Sequence, residues 1–185
     1  MGGREVSADS VPVVQAQGIL EEDAAVQALA VIARKWAQEP EQAQGFTIIG
    51  EGLASVMPCD RAYLLRWARP SHELEVVGVY QGAEQGLQLG QALPQERRDR
   101  DLIESAPEVM SCSDTAVWLT SLERQLGEEG MQSLLAVVLR VQKQAAGLLV
   151  VASRERLAYG AIEVRLLRGM APALVGHLKH RELRE

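Results

Sequence analysis

Apolar residues recur with a helical period at Val26, Leu29, Ala30, Ile32, Ala33 and Trp36, behind the acids Glu21, Glu22 and Asp23 that suit a helix N-terminus. A long helix is therefore expected from Ile19 onward, with residues 1–18, which lack a strong period, as a flexible leader. Glu39-Pro40-Glu41 breaks that helix, and Phe46, Ile49, Leu53, Val56 and Met57 then repeat at helical spacing up to Pro58, predicting a second one. Residues 61–67 and 74–80 are rich in strand formers and flank the turn-like Arg69-Pro70-Ser71-His72, which reads as a hairpin. A third short strand is expected over 87–93, followed by a charged, exposed helix opened by Pro94 and running to Ile103. Residues 108–112 suit a short edge strand, and residues 116–126 a small helix carrying Trp118, Leu119 and Leu122.

Residues 133–141 and 145–152 are apolar at odd and even positions alike, so both of their faces must be covered. They predict a hairpin at the centre of a sheet. From Tyr159 to about Arg181 the helical period returns through Ile162, Leu166, Leu167, Met170, Leu174 and Leu178, with Pro172 expected to kink or interrupt it. Short strands joined by tight turns require antiparallel pairing, because parallel neighbours need long crossovers. The expectation is one α+β domain over residues 19–182 and a polar tail at 183–185.

The 185 residues suffice for one substantial core, and a composition 47% hydrophobic and 24% charged is that of a folding chain. The formal charge of −6 offers no general attraction to phosphate backbones or anionic lipid, which argues against nucleic acid and membrane partners. Two cysteines cannot make a disulfide framework, and the start of the chain lacks the apolar run of roughly 7–15 residues of a signal peptide. No apolar run approaches the ~20 residues of a membrane-spanning helix. A cytoplasmic location follows as the expectation.

The predicted central hairpin also carries a resemblance. Gly130-Met131-Gln132-Ser133, the run 134–139, and Gly147-Leu148-Leu149-Val150-Val151 resemble the signature of GAF domains, "S-x-x-x-V-P-L", a turn and "G-x-L-x-V", with Val138 where the family often has proline. Cys59-Asp60-Arg61-Ala62 leading into residues 63–67 resembles the family's first strand. The closing helix is similar to the family's last one, without its usual phenylalanine and acidic cap. The resemblance covers residues 18–182 or so. It implies a GAF/PAS-like sandwich: a central antiparallel sheet of about five or six strands, N- and C-terminal helices on one face, and a ligand pocket on the other. Family ligands include cyclic nucleotides, linear tetrapyrroles, haem, small metabolites and metal centres; other members only dimerise, commonly through the terminal helices, and pass signals to an effector domain.

Candidate chemistry is sparse. Arg97, Arg98 and Arg100 fall where the family roofs its pocket and would hold a carboxylate or phosphate if turned inward, although interleaving with Glu96, Asp99 and Asp101 also suits a solvated face. Tyr80, Cys112, Asp114 and Trp118 join them as candidate pocket wall, combining apolar bodies with polar tips. Cys59 and Cys112 raise the family's thiol-dependent methionine sulfoxide reductases and its cysteine-attached bilins. The reductases need more cysteines, and Ser113, not histidine, follows Cys112. His177 and His180 lie three residues apart but have only the distant His72 as a further histidine ligand. Gly50-Glu51-Gly52 sits inside a helical period, not between strand and helix as a dinucleotide fingerprint requires. The family's cyclic-nucleotide motif is absent, no cofactor is identified, and no complete catalytic constellation is present. Three readings stay open: a ligand-binding signal-input module, a ligand-free homodimerisation module, and a thiol reductase.

Overall fold

The computed structural model describes residues 13–38, 45–81, 86–105, 109–112 and 120–182. Helix α1 (Val13–Gln38) and helix α2 (Phe46–Ala54) precede strands β1 (Arg61–Ala68), β2 (Glu73–Tyr80) and β3 (Ala92–Pro94). Helix α3 (Arg97–Ser105), strand β4 (Val109–Cys112) and helix α4 (Ser121–Glu128) follow, then β5 (Ser133–Val141), β6 (Gln144–Ser153) and helix α5 (Ala161–Glu182). The strands form one sheet in the order β3-β2-β1-β6-β5-β4, antiparallel throughout. Both strands of the expected hairpin are internal, β6 between β1 and β5, and β5 between β6 and β4.

Strand alternation divides the core in two. Ala62 and Leu64 of β1, Leu135 and Val137 of β5, and Leu149 and Val151 of β6 pack with Leu29, Trp36, Phe46, Leu53, Leu167 and Leu174 of α1, α2 and α5. Tyr63, Leu65, Leu134, Val138 and Val150 face the other way, onto Leu87, Ile103, Leu122, Leu126 and Met131. Helices α1, α2 and α5 thus cover one face of the sheet, and α3 and α4 close the opposite one. An extra residue in β2, Val77, shifts the register at Leu64/Leu65, so Leu74 and Val76 join the α3/α4 side while Val77 and Tyr80 join the other.

Four expectations need correction. Residues 13–18 belong to α1, so the leader is shorter than its lack of apolar period implied. Residues 87–93 do not form a strand: Gly90 N–H bonds Val76 O, Gln91 N–H bonds Gln88 O, and only Ala92–Pro94 pair with β2. Pro94 therefore closes β3 and does not open α3. As an edge residue it costs the sheet no interior bond. Pro172 lies within a continuous α5, on its exposed side, so it does not interrupt the helix. The expected small helix is α4, and the part of that prediction at 116–119 lies outside the described residues, as do residues 1–12 and the tail 183–185.

Candidate functional site

The face closed by α3 and α4 is apolar over most of its area and polar at one end. Tyr63 points into it from β1 because it alternates with Ala62 and Leu64, and its hydroxyl donates to Glu129 Oε2 at 3.1 Å. Glu129 follows α4 directly, and the backbone N–H of Leu87 donates to its Oε1 at 3.2 Å. Arg61, two residues before Tyr63 and so on the same side of β1, brings Nε to 3.5 Å from Glu129 Oε2. The Glu129 side chain is only 4% exposed, which makes this a nearly buried ion pair with a phenol and an amide as further partners. Arg61 Nε is itself buried without a hydrogen bond, and the charge that faces it is the Glu129 carboxylate. Burial first, and then the Glu129 carboxylate, push the Tyr63 phenol well above its ordinary value.

The helices of this cover are tied down by side chains. Asp99 of α3, 3% exposed, accepts the Ser121 N–H at 3.2 Å and so caps the start of α4. Ser121 Oγ donates to Gln95 Oε1, and Thr120 and Glu123 complete a capping box. At the other end of α3, Trp67 Nε1 donates to Glu104 Oε1 at 2.9 Å, and the Arg140 guanidinium donates to the carbonyls of Ile103 and Glu104. Helix α3 is therefore fixed to β1, β5 and α4 together.

The candidates from sequence do not converge among the described residues. Tyr80 is 7% exposed and packs on the helix face, so close to α2 that a methyl group at Gly50 would lie 1.9 Å from its ring. It lies across the sheet from α3 and cannot share a pocket wall with it. Arg97 and Arg98 are exposed and Arg100 is half-buried, while Asp99 between them turns inward. Cys112 ends β4, and its side chain, like residues Asp114 and Trp118 as a whole, lies outside what the structure describes. Asp99 had a legible signal, since it stands one helical turn before the buried Ile103. Glu129 had none: its partners Tyr63 and Leu87 are distant in sequence.

Cys59 is half-buried beside the helix-face core and donates its thiol to Arg61 O at 3.4 Å. Burial, reinforced by Asp60, pushes this thiol up to about 12, which keeps it protonated and a poor nucleophile at neutral pH. His177 packs against Trp36 with ring centroids 4.2 Å apart and the ring planes inclined at 39°. No group of three or more His, Cys, Asp or Glu among the described residues could hold a metal ion. None of their helices is long and apolar enough to cross a membrane.

The fold is an α+β sandwich with the terminal helices on one face and α3 and α4 closing the other. The GAF domain family matches residues 44–176, and the chain belongs to that family. No curated protein matches it. Solved structures similar to it include the GAF domain of a two-component sensor histidine kinase from Bacillus halodurans, at 16% identity and a TM-score of 0.60, covering 72% of this chain and 90% of that one. A phycoerythrobilin-bound GAF domain from a cyanobacterial phytochrome matches at 17% identity and a TM-score of 0.61, covering 86% of this chain and 97% of that one. A phycocyanobilin-bound GAF domain from a cyanobacterial phytochrome matches at 16% and 0.60, covering 89% and 97%. At these identities the likeness is one of fold.

Proposed function

We propose that this chain is a cytoplasmic, non-catalytic signal-input module that takes a small ligand on the α3/α4 face and reports it through α1 and α5 to an attached or partner effector. The observation that carries this reading is the convergence of Tyr63, Glu129 and Arg61 at one end of an otherwise apolar, roofed face. Such a combination orients a small molecule by a few polar contacts and binds it by apolar burial. The solved GAF domains that hold bilins make a linear tetrapyrrole one ligand class to test. Cys59 is a poor site for covalent attachment, being protonated and packed on the opposite side of the sheet. Thermal-shift screening against tetrapyrroles, haem, cyclic nucleotides and small carboxylates tests the reading. A ligand at a hundred times its Kd should stabilise by about 2.7 kcal/mol, a rise of roughly 5–10 °C in a domain of this size. No shift from any of these classes would count against it.

Homodimerisation through the terminal helices is a second reading, on a surface other than the apolar stripe of α5. Leu166, Leu174 and Leu178 of that stripe are spent on the chain's own core. Ile162 on α5 and Val31 on α1 remain outside, 55% and 42% exposed, on two helices that pack side by side. A dimer by light scattering that Ile162→Glu converts to monomer would support this surface, and a wild-type monomer at micromolar concentration would remove it.

A further inference from the structure

The two stretches that carry the family resemblance, Asp60-Arg61-Ala62 and the run from Ser133, meet around the loop that joins β6 to α5. Asp60 Oδ2 accepts the Ser153 hydroxyl at 3.2 Å and the Arg154 N–H at 2.8 Å. Ser153 Oγ in turn accepts the Glu155 N–H at 3.0 Å. Ser133 Oγ, fully buried, donates to Glu155 O at 2.6 Å and accepts the Ala158 N–H at 3.2 Å. Between these anchors Leu157 is held at φ 53 with its side chain exposed, a left-handed conformation that is unfavourable for a non-glycine residue. Immediately beyond, the Glu163 carboxylate accepts the Gly160 N–H at 2.8 Å and starts α5. The loop is strained, and side-chain hydrogen bonds keep it so.

The same Asp60 touches the polar end of the α3/α4 face through its neighbour. Arg61 Nη1 donates to Asp60 O at 3.2 Å, and Arg61 Nε faces Glu129 at 3.5 Å. We infer that Glu129, acting through Arg61 and Asp60, is coupled to residues 154–160, so that losing its charge loosens the loop from which α5 begins. The cause is competition for one anion. A nearly buried guanidinium cannot stay without a counter-charge, and with Glu129 neutralised the Asp60 carboxylate is the anion next to it in the chain. Asp60 drawn to Arg61 releases Arg154 N–H and Ser153 Oγ, and the strained turn at Leu157 relaxes. The coupling is a property of the folded chain alone. It goes beyond the ligand reading and stands or falls without any ligand.

Amide hydrogen exchange on the whole chain tests it, with Glu129→Gln as the perturbation and Glu104→Gln, which removes a carboxylate charge from the same face while keeping an acceptor for Trp67 Nε1, as control. Glu129→Gln should speed exchange at Arg154 and Ala158 about tenfold and leave the β5 and α5 core amides at wild-type rates, the scale of one or two lost hydrogen bonds. Glu104→Gln should leave 154–160 unchanged. Combined with Asp60→Asn, Glu129→Gln should add nothing further at Arg154, because both act through the same carboxylate. Arg154 and Ala158 at wild-type rates while Leu87 exchanges faster would overturn the coupling. So would a uniform acceleration of all amides, or additive effects in the double variant. Should Glu129→Gln fail to fold, Glu129→Asp, whose carboxylate stands one methylene farther from Arg61, must produce a smaller acceleration at the same two amides, and wild-type rates there would overturn the coupling.

Discussion

Gly147 is the glycine of the "G-x-L-x-V" stretch, and the structure gives a steric reason for it. It pairs with Arg66 on one side and Leu139 on the other, in the middle of the sheet. A methyl group there would lie 2.2 Å from the Leu65 carbonyl oxygen and 2.8 Å from Leu178 Cδ1 of α5. The leucine tip can rotate away, but the carbonyl is backbone in a hydrogen-bonded ladder, and ordinary contact would require it to retreat by roughly 1 Å. Overpacking of this kind costs about 1–3 kcal/mol, and each ladder bond weakened adds about 1 kcal/mol. Gly147→Ala should therefore lose about 3–4 kcal/mol, or roughly 10 °C in Tm for a domain of this size. Urea denaturation followed by circular dichroism measures it, with Gly176→Ala as the internal reference. Gly176 lies in α5 with nothing within 4 Å of the added methyl group, so that variant should gain about 0.5–1 kcal/mol from helix propensity alone. A loss below about 1 kcal/mol for Gly147→Ala would refute the close approach of β1, β6 and α5.

Cys59 should resist thiol reagents in the folded protein. Its pKa, raised from 9.0 to about 12, leaves roughly a thousandfold less thiolate at neutral pH than an exposed cysteine, so in a Cys112→Ser background rapid labelling at pH 8 would contradict its environment. The same shift makes the fold sensitive to alkali. The folded state keeps the Cys59 proton to higher pH than the unfolded chain, so the unfolded state binds fewer protons and stability falls as pH rises from 9.0 toward about 12. Tyr63 and Tyr159, both raised chiefly by burial, act in the same direction. A urea midpoint flat from pH 8 to 11 would contradict this. Asp99→Ala should cost about 1 kcal/mol by uncapping α4, and Asp99→Asn, which keeps an acceptor, should recover part of it; equal effects of the two in urea would show that the Ser121 contact contributes nothing.

The sheet was legible in the sequence where burial is two-sided, since β5 and β6 have no polar face to disguise their extent. Helix α2 and strands β1 and β2 followed from period and turn residues. The third strand misled because Leu87 is apolar for the core, not for a strand, and the tight bonds of residues 88–91 leave only three residues to pair with β2. The bulge at Val77 is equally hidden. It turns Tyr80 toward α2, so the residue proposed for the ligand face supports the helix face instead. Polar partners were the least legible, because Tyr63, Leu87 and Glu129 meet only once the strands, α4 and the Leu87 segment are in place. Asp99 was read with its neighbours as part of a solvated face and proved buried; its spacing from Ile103, one helical turn away, was the signal that the interleaved charges masked.

The most direct test of a ligand site on the α3/α4 face is amide hydrogen exchange with and without a compound that raises Tm. Protection at Leu87, β1 and α4, lost together with the thermal shift in Tyr63→Phe or Glu129→Gln, is the predicted result. Protection confined to the outer surfaces of α1 and α5, with Leu87 and α4 exchanging as in the free protein, would contradict it.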